Sequence, residues 1–253
     1  MNRVVILSND VVPDQGALVA APGLRAHGLA AGLRAAGCDV TILVDSAAVA
    51  RYRRAVGEVS PAAGVQVADP AEFMKRLKAM RPAAVVMING NQAEHLVRSR
   101  GLRFVYDGFA PRKLERAYLP GGPTERDLAR LALVEGRAMR LADAVIVNGR
   151  LKVGWYLAWL IHTGRDVRKV PVRVVEMAVP PAAPPAAGPV SFPLTAAATG
   201  YRHDWPAVPA SVEAAVRAAG ERLRLVRGEG RHWGPSRRAA PEPAREALPA
   251  LPG

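Results

Sequence analysis

Asp107 stands directly after the apolar run Arg103-Phe104-Val105-Tyr106 and directly before Gly108. A carboxylate at the end of a buried strand can do acid/base or hydrogen-bonding work on a ligand, or it can simply form a turn. The residue types leave both open, with Asp107 the candidate catalytic group. Arg112, Lys113 and Glu115 follow at once and either orient an acceptor or phosphate or form the solvated first turn of a helix. Asn9, Asn89 and Asn148 also close apolar runs, and Asp14 lies in the loop after the first of them. These are candidate substrate-binding residues. The loop Asn9–Gly23 could wrap a phosphate or a sugar, because backbone N–H groups at a helix start favour anions. Gly16 would let the backbone approach a ligand, or Gly16 and Gly23 serve tight turns. The loop is not a G-x-G-x-x-G, so a dinucleotide fingerprint is absent. His27 could reach the same ligand from the helix start, or lie on the surface. Gly28 and Gly32 are expected to let that helix lie close on a sheet.

Other constellations are weaker. Trp155, Tyr156 and Trp159 share one helix and offer a sugar platform, a membrane-facing patch or ordinary packing. His162, His203 and His232 lack metal-ligand spacing, and no metal and no cofactor are expected. The single cysteine, Cys38, rules out an intrachain disulfide framework or CxxC site and suits a reducing compartment. It precedes a strand and reads as a small core residue.

The charge is skewed: 35 Lys+Arg against 22 Asp+Glu, a formal net charge of +13. Such a chain attracts nucleic acid, an anionic membrane surface, or nucleotide and phosphate ligands. Alternatively the excess is spread over solvated helix faces and the tail. No nucleic-acid motif supports the first partner, and none is expected. Met1–Leu7 runs straight into a strand without a secretory pattern, and the runs Ala83–Ile88 and Trp155–Ile161 are far shorter than the roughly 20 residues of a membrane span. The expectation is a cytoplasmic protein able to touch a membrane peripherally.

The elements that must position these residues follow from periodicity. Arg3–Ser8 is a continuous apolar run, the pattern of a strand buried on both faces. Pro22 to Ala36 carries Leu24, Leu29 and Leu33 at helical spacing and ends at Gly37; Asp39–Val44 is the next strand. The alternation continues with a strand at Val65–Val67, a helix from Pro70 to Met80, a strand at Ala83–Ile88 and a helix from Ala93 to Arg100. A strand at Arg103–Tyr106 precedes a long helix from Thr124 to Leu141, with Thr124 as N-cap and Leu128, Leu131, Val134 and Ala138 as its apolar stripe. Asp143–Val147 is a strand, Leu151 to His162 a helix closed by Gly164, and Val172–Val175 a strand. This pattern predicts an α/β fold: a Rossmann-like parallel sheet with helices on both faces, whose ligands bind beyond the carboxyl ends of the strands.

The texture changes at Pro180. The domain organisation reads as 1–179, a Rossmann-like domain; 180–189, a Pro/Ala linker; 190–235, a partial second βαβ lobe; and 236–253, a disordered tail. Within the lobe a strand is expected at Val190–Ala197, a turn at Gly200–Pro206, a helix at Val208–Ala219 and a strand at Leu223–Val226.

Several segments together resemble family 4 glycosyltransferases. Gly23-Leu-Arg-Ala-His-Gly-Leu-Ala-Ala-Gly-Leu-Arg-Ala-Ala-Gly-Cys-Asp-Val-Thr is similar to their first helix and second strand, with Cys38 where a His is usual. Asp107-Gly-Phe-Ala-Pro111-Arg-Lys-Leu114-Glu115 resembles a D-x-x-x-P-x-x-L-E segment. Leu141-Ala-Asp-Ala-Val-Ile-Val-Asn148 resembles an A-D-x-V-I-x-x-S/N strand, and Trp155 to Arg165 a W-x-x-x-L-x-x-x-G-R helix. Val172 to Pro181 is similar to the strand leading into the interdomain linker, so the likeness covers about residues 3–181. The resemblance implies the acceptor-binding domain of a GT-B fold. It implies retaining transfer from a nucleotide-sugar, as donor substrate, to a sugar or lipid acceptor in polysaccharide or glycolipid synthesis. Many members carry a His where this chain has Asp107. Gly200-Tyr-Arg202-His-Asp204-Trp205 and Gly228 to Gly234 look like the first βαβ of a donor domain, with Arg202 a candidate diphosphate contact. The family's later basic pair and Glu-x7-Glu stretch do not appear. The alternatives are a non-catalytic acceptor-binding or scaffold subunit completed by a separate donor-domain chain, and an inactive truncated remnant.

Overall fold

The computed structural model describes residues 2–16, 19–117, 122–177, 194–201, 214 and 217–230. Seven strands form one sheet in the order β3-β2-β1-β4-β5-β6-β7, with every neighbouring pair parallel. They are β1 (Arg3–Ser8), β2 (Asp39–Asp45), β3 (Val65–Ala68), β4 (Ala84–Ile88), β5 (Arg103–Asp107), β6 (Ala144–Val147) and β7 (Val172–Val174). β1, β2 and β4 carry long apolar runs because they lie at the centre, with both faces covered.

The helices divide between the faces. α1 (Ala21–Ala35) and α2 (Ser46–Ala55) pack on one side, against Val4, Ile6, Ile42 and Val86. On the other side α3 (Phe73–Met80), α5 (Glu125–Leu141) and α6 (Leu151–His162) cover Val5, Leu7, Val85, Tyr106 and Val145. A short helix, α4 (Arg112–Ala117), precedes α5. The two faces follow from β-strand alternation, which sends successive side chains to opposite cores. The seven-stranded α/β sheet flanked by helices is consistent with a Rossmann-like fold, as the alternating pattern predicts.

Local signals set the helix ends. Asp45 caps α2 by accepting from the Ala47 N–H at 2.7 Å. Thr124 caps α5 in a reciprocal box with Asp127, as its sequence position implies. α3 stops at Arg81, whose φ of 49° is left-handed and cannot continue a helix.

Three expectations change. α2 replaces what reads as a connection between the second and third strands. The helix expected from Ala93 to Arg100 is instead a 3-10 segment, Asn91–His95, followed by extended chain from Leu96. Here long-range bonds replace the i+4 ladder: Leu96 O accepts from Arg137 at 2.9 Å, and the Arg98 side chain reaches over to donate to Leu141 O at 2.5 Å. Leu96 is fully buried, which favours this path over a regular helix. Gly28 and Gly32 do not press α1 onto the sheet. They line an open groove, and a Cβ built on Gly32 would meet nothing within 4 Å.

Beyond residue 193, β8 (Leu194–Tyr201) and β9 (Leu223–Gly230) form a separate two-stranded parallel pair. Residues 190–193 of the expected strand lie outside the described residues, and β8 runs through Gly200, where a turn is expected. Residues 217–219 are helical, consistent with the crossover that parallel strands require. The Pro/Ala segment 180–189, Arg202 and the tail 236–253 lie outside the described residues. No helix among the described residues is long and apolar enough to cross a membrane.

Candidate functional site at the carboxyl edge of the sheet

The strand order reverses between β1 and β4. β1 connects outward to β2 and β3, while β4 begins the run to β7. Open parallel sheets bind ligands in the crevice outside the carboxyl ends of the strands at such a switch point. Leu7 of β1 pairs with Met87 of β4, so Asn9 and Asn89 leave the sheet at the same level.

Asn9 and Asn89 behave differently. Asn89 is buried and held: its side-chain oxygen accepts from the Ala110 N–H at 3.1 Å, and its own N–H donates to Asp107 O at 3.0 Å. Its φ of 56° and the 64° of Gly90 turn the chain sharply away from β4. A Cβ on Gly90 would fall 2.6 Å from the Tyr106 ring, so the sharp turn also requires glycine there. The Asn9 side-chain oxygen, by contrast, is buried with no hydrogen-bond partner among the described residues, as are both amide atoms of Gln92, just beyond β4. Buried amides without partners are uncommon and mark places where water or a ligand completes the network. Arg112 of α4 donates to the Asn91 side chain and ties α4 to this edge.

Asp107 sits where the sequence places it, at the carboxyl end of β5. It is fully buried, and Arg25 of α1 grips it with Nε to one oxygen at 2.9 Å and Nη2 to the other at 3.3 Å. Arg25 also donates to Glu176 O at 2.8 Å, joining α1, β5 and the segment after β7. Burial pushes the Asp107 carboxyl up, and the guanidinium and Lys152 pull against it. In this arrangement the carboxylate faces Arg25, and a ligand reaches it only if that guanidinium moves. Asn148 follows β6, and its side-chain oxygen accepts from Lys152 Nζ at 2.6 Å. Lys152 also donates to Phe109 O at 2.6 Å, and burial lowers its pKa.

The loop after β1 holds the remaining candidates. Asp14 is exposed and lies 3.4 Å from His27 Nε2. Gly16 is half-buried against Tyr52 of α2, whose hydroxyl would be 2.4 Å from an added Cβ. Asp10, which the sequence does not single out, is the more telling acid. It is 3% exposed and accepts from the Val11 N–H at 2.8 Å. Burial raises its pKa to about 7 despite lowering contributions from backbone hydrogen bonds to Val11, Gly23 and Ala20 and from the charge of Arg51. Asp10 thereby ties the loop to the start of α1. Gly23 permits this closeness, because a Cβ there would lie 1.9 Å from Val11 O.

The structure therefore gathers Asn9, Asn89, Asp107 and Asn148 along one edge, with Asp14 and Gly16 in the loop at its β1 end and His27 beside Asp14 on α1. Arg25, Lys152 and Gln92 join them unannounced. Arg25 and Asp107 are 82 residues apart, and no sequence spacing signals such a pair. A deep groove of about 430 Å³ opens from Arg25 along α1 and is apolar, lined by Leu29, Leu33, Val86, Val105 and Ile146. The polar candidates do not line it. No cluster of His, Cys, Asp and Glu suited to a metal ion occurs among the described residues.

Fold and edge define a class: a Rossmann-like α/β protein with buried side-chain amides at its topological switch point. Compared with known proteins, the chain matches no family model and no curated protein.

Proposed function

We propose that this chain binds a sugar-containing acceptor at the carboxyl edge of the sheet and serves as the acceptor domain of a nucleotide-sugar-dependent glycosyltransferase. One observation carries the reading. The switch point is furnished with side-chain amides, Asn9, Asn89 and Gln92, of which Asn9 Oδ1 and both Gln92 amide atoms have no hydrogen-bond partner among the described residues. Amides donate and accept, which suits a polyol's hydroxyls; a dinucleotide site would instead bring a glycine-rich turn to the diphosphate. The motifs resembling family 4 glycosyltransferases support the reading by falling on this edge: the 107–115 segment runs from β5 into α4, and the 141–148 segment ends at Asn148.

Transfer requires the acceptor hydroxyl to be held against the donor's anomeric carbon, with the leaving diphosphate neutralised by fixed positive charge. Asn9 and Gln92 would orient the acceptor. Asp107 would keep α1 and β5 in register beneath it through Arg25. The test is titration calorimetry of the purified chain with a panel of oligosaccharides and nucleotide-sugars, followed by a transfer assay. Saturable oligosaccharide binding that weakens roughly tenfold in Asn9→Ala, the loss of about one hydrogen bond, is expected. Absence of any carbohydrate binding, or tight binding of a dinucleotide instead, would overturn the reading. Acceptor binding with transfer only after a second polypeptide is added would identify a subunit that shares its active site.

A further inference from the structure

The outer face of α5 carries Arg126, Arg130, Leu133, Arg137 and Arg140, at i, i+4, i+7, i+11 and i+14. Those intervals return to one side of a helix at 3.6 residues per turn, within an arc of roughly 80°. All five are exposed, and Leu133 stands 69% exposed among the arginines. The three acids of α5 lie off this stripe: Glu135 is buried in an ion pair with Lys113, Asp127 is engaged in the cap, and Glu125 is exposed in the first turn, about 100° round the helix from Arg126.

α6 packs beside α5 on the same face of the sheet and contains no acid at all. With Tyr156 and Leu160 buried inward, its outward side presents Leu151, Ala158 and His162, with Ile161 alongside. Leu151 is 99% and Ile161 63% exposed. Arg165, Arg168 and Lys169 follow; Asp166 pairs with Arg168 and Asp143 with Arg98, while Glu94 of the 3-10 segment beside α5 is exposed. The result is a solvent-exposed surface where large aliphatic side chains rise among arginines.

We propose that the α5–α6 face docks the protein peripherally on an anionic lipid bilayer. Arginines attract the negatively charged surface, and Leu133, Leu151 and Ile161 bury in the headgroup–acyl boundary. Fully exposed leucine and isoleucine gain little from a nucleic-acid backbone, which arginines alone would satisfy, and this favours lipid over nucleic acid. No helix among the described residues is long and apolar enough to span a bilayer, so attachment through this face is superficial. The inference is independent of the acceptor-domain reading.

The experiment is flotation of the full chain with two kinds of vesicle: phosphatidylcholine alone, and an even mixture of phosphatidylglycerol and phosphatidylcholine. Binding to the mixed vesicles only is expected. The triple variant Arg126→Gln/Arg130→Gln/Arg140→Gln should partition roughly a hundredfold more weakly, at about 1 kcal/mol for each charge near an anionic surface. Leu133→Ser/Ile161→Ser should reduce binding in low salt and abolish what persists in high salt. Arg53→Gln/Arg54→Gln, on α2 across the sheet, should bind as the parent does, and circular dichroism checks that every variant is folded. Unchanged binding by the triple variant, or an equal loss in the α2 variant, would overturn the assignment to this face. Tighter binding to double-stranded DNA than to vesicles, indifferent to the two serine substitutions, would overturn the lipid partner.

Discussion

Asp107 and Asp10 are the same residue type at the same edge of the same sheet, and burial pushes both carboxyls up, yet their partners differ. Asp107 has a guanidinium across both oxygens, so its charge is matched inside the core. Asp10 is almost as deeply buried but relies chiefly on backbone N–H groups, and its pKa rises to about 7. A full ion partner makes a buried acid a fixed tie between elements. Backbone donors alone make it a tie whose charge changes near neutrality. One half of the edge is thereby a rigid seam, and the other, the loop leading into α1, depends on pH.

The harshest way to break this contrast is to strand Arg25. Asp107→Ala leaves a buried guanidinium without its counter-ion and should cost about 3–5 kcal/mol in urea unfolding, whereas Arg25→Met/Asp107→Leu together should cost far less. If Asp107→Ala costs under about 1 kcal/mol, water reaches the pair and the seam is not rigid.

Asp10 sharpens the comparison through pH. A carboxyl whose pKa rises on folding from the ordinary 3.8 to about 7 binds its proton more tightly in the native state. Its contribution to stability is therefore complete below pH ~4 and is lost as pH rises toward 7, by at most roughly 4 kcal/mol at 1.36 kcal/mol per unit. Urea midpoints measured across this range should fall with pH more steeply for the parent than for Asp10→Asn. Equal slopes would show that the loop does not bury the charge.

The smallest effect belongs to Asp14. It is exposed beside His27, and the two form an ion pair only when His27 carries a proton. Asp14→Asn should shift stability by less than about 0.5 kcal/mol. A larger loss would mean that the outer part of the loop shares the tight packing of Asp10.

The legible parts of this molecule are those whose information is local. The long apolar runs of β1, β2 and β4 show themselves because both faces of each strand are covered. α5 is announced by its cap at Thr124 and its stripe from Leu131 to Ala138. α2 hides because only Ala48, Val49 and Tyr52 face inward, in a stretch otherwise made of Ala and Arg. The chain beyond Leu96 defeats helical spacing because its bonds run to distant positions: Leu96 O accepts from Arg137, and Arg98 donates to Leu141 O. The edge asparagines are legible by topology, since they follow strands. The Arg25–Asp107 pair is not, because only the folded sheet brings α1 over β5. The groove along α1 is likewise invisible in sequence: Gly28 and Gly32 carry the same letters whether they face a sheet or open space.

The strand order has a consequence for how this chain is made. β1 leaves the ribosome before the other strands of its sheet, but one of its two ladders, from Val4 to Ala84, awaits a segment synthesised some 80 residues later. Until β4 emerges, the nascent chain holds β1 with one edge unpaired and the Val5 and Leu7 face lacking its later partners from β4 and β5. Such an edge is a template for wrong pairing with any neighbouring chain. The arrival of β4 is thus the commitment step of biosynthesis. Pauses in translation before residue 84 prolong the period of risk, whereas pauses after residue 88 let the centre of the sheet close first.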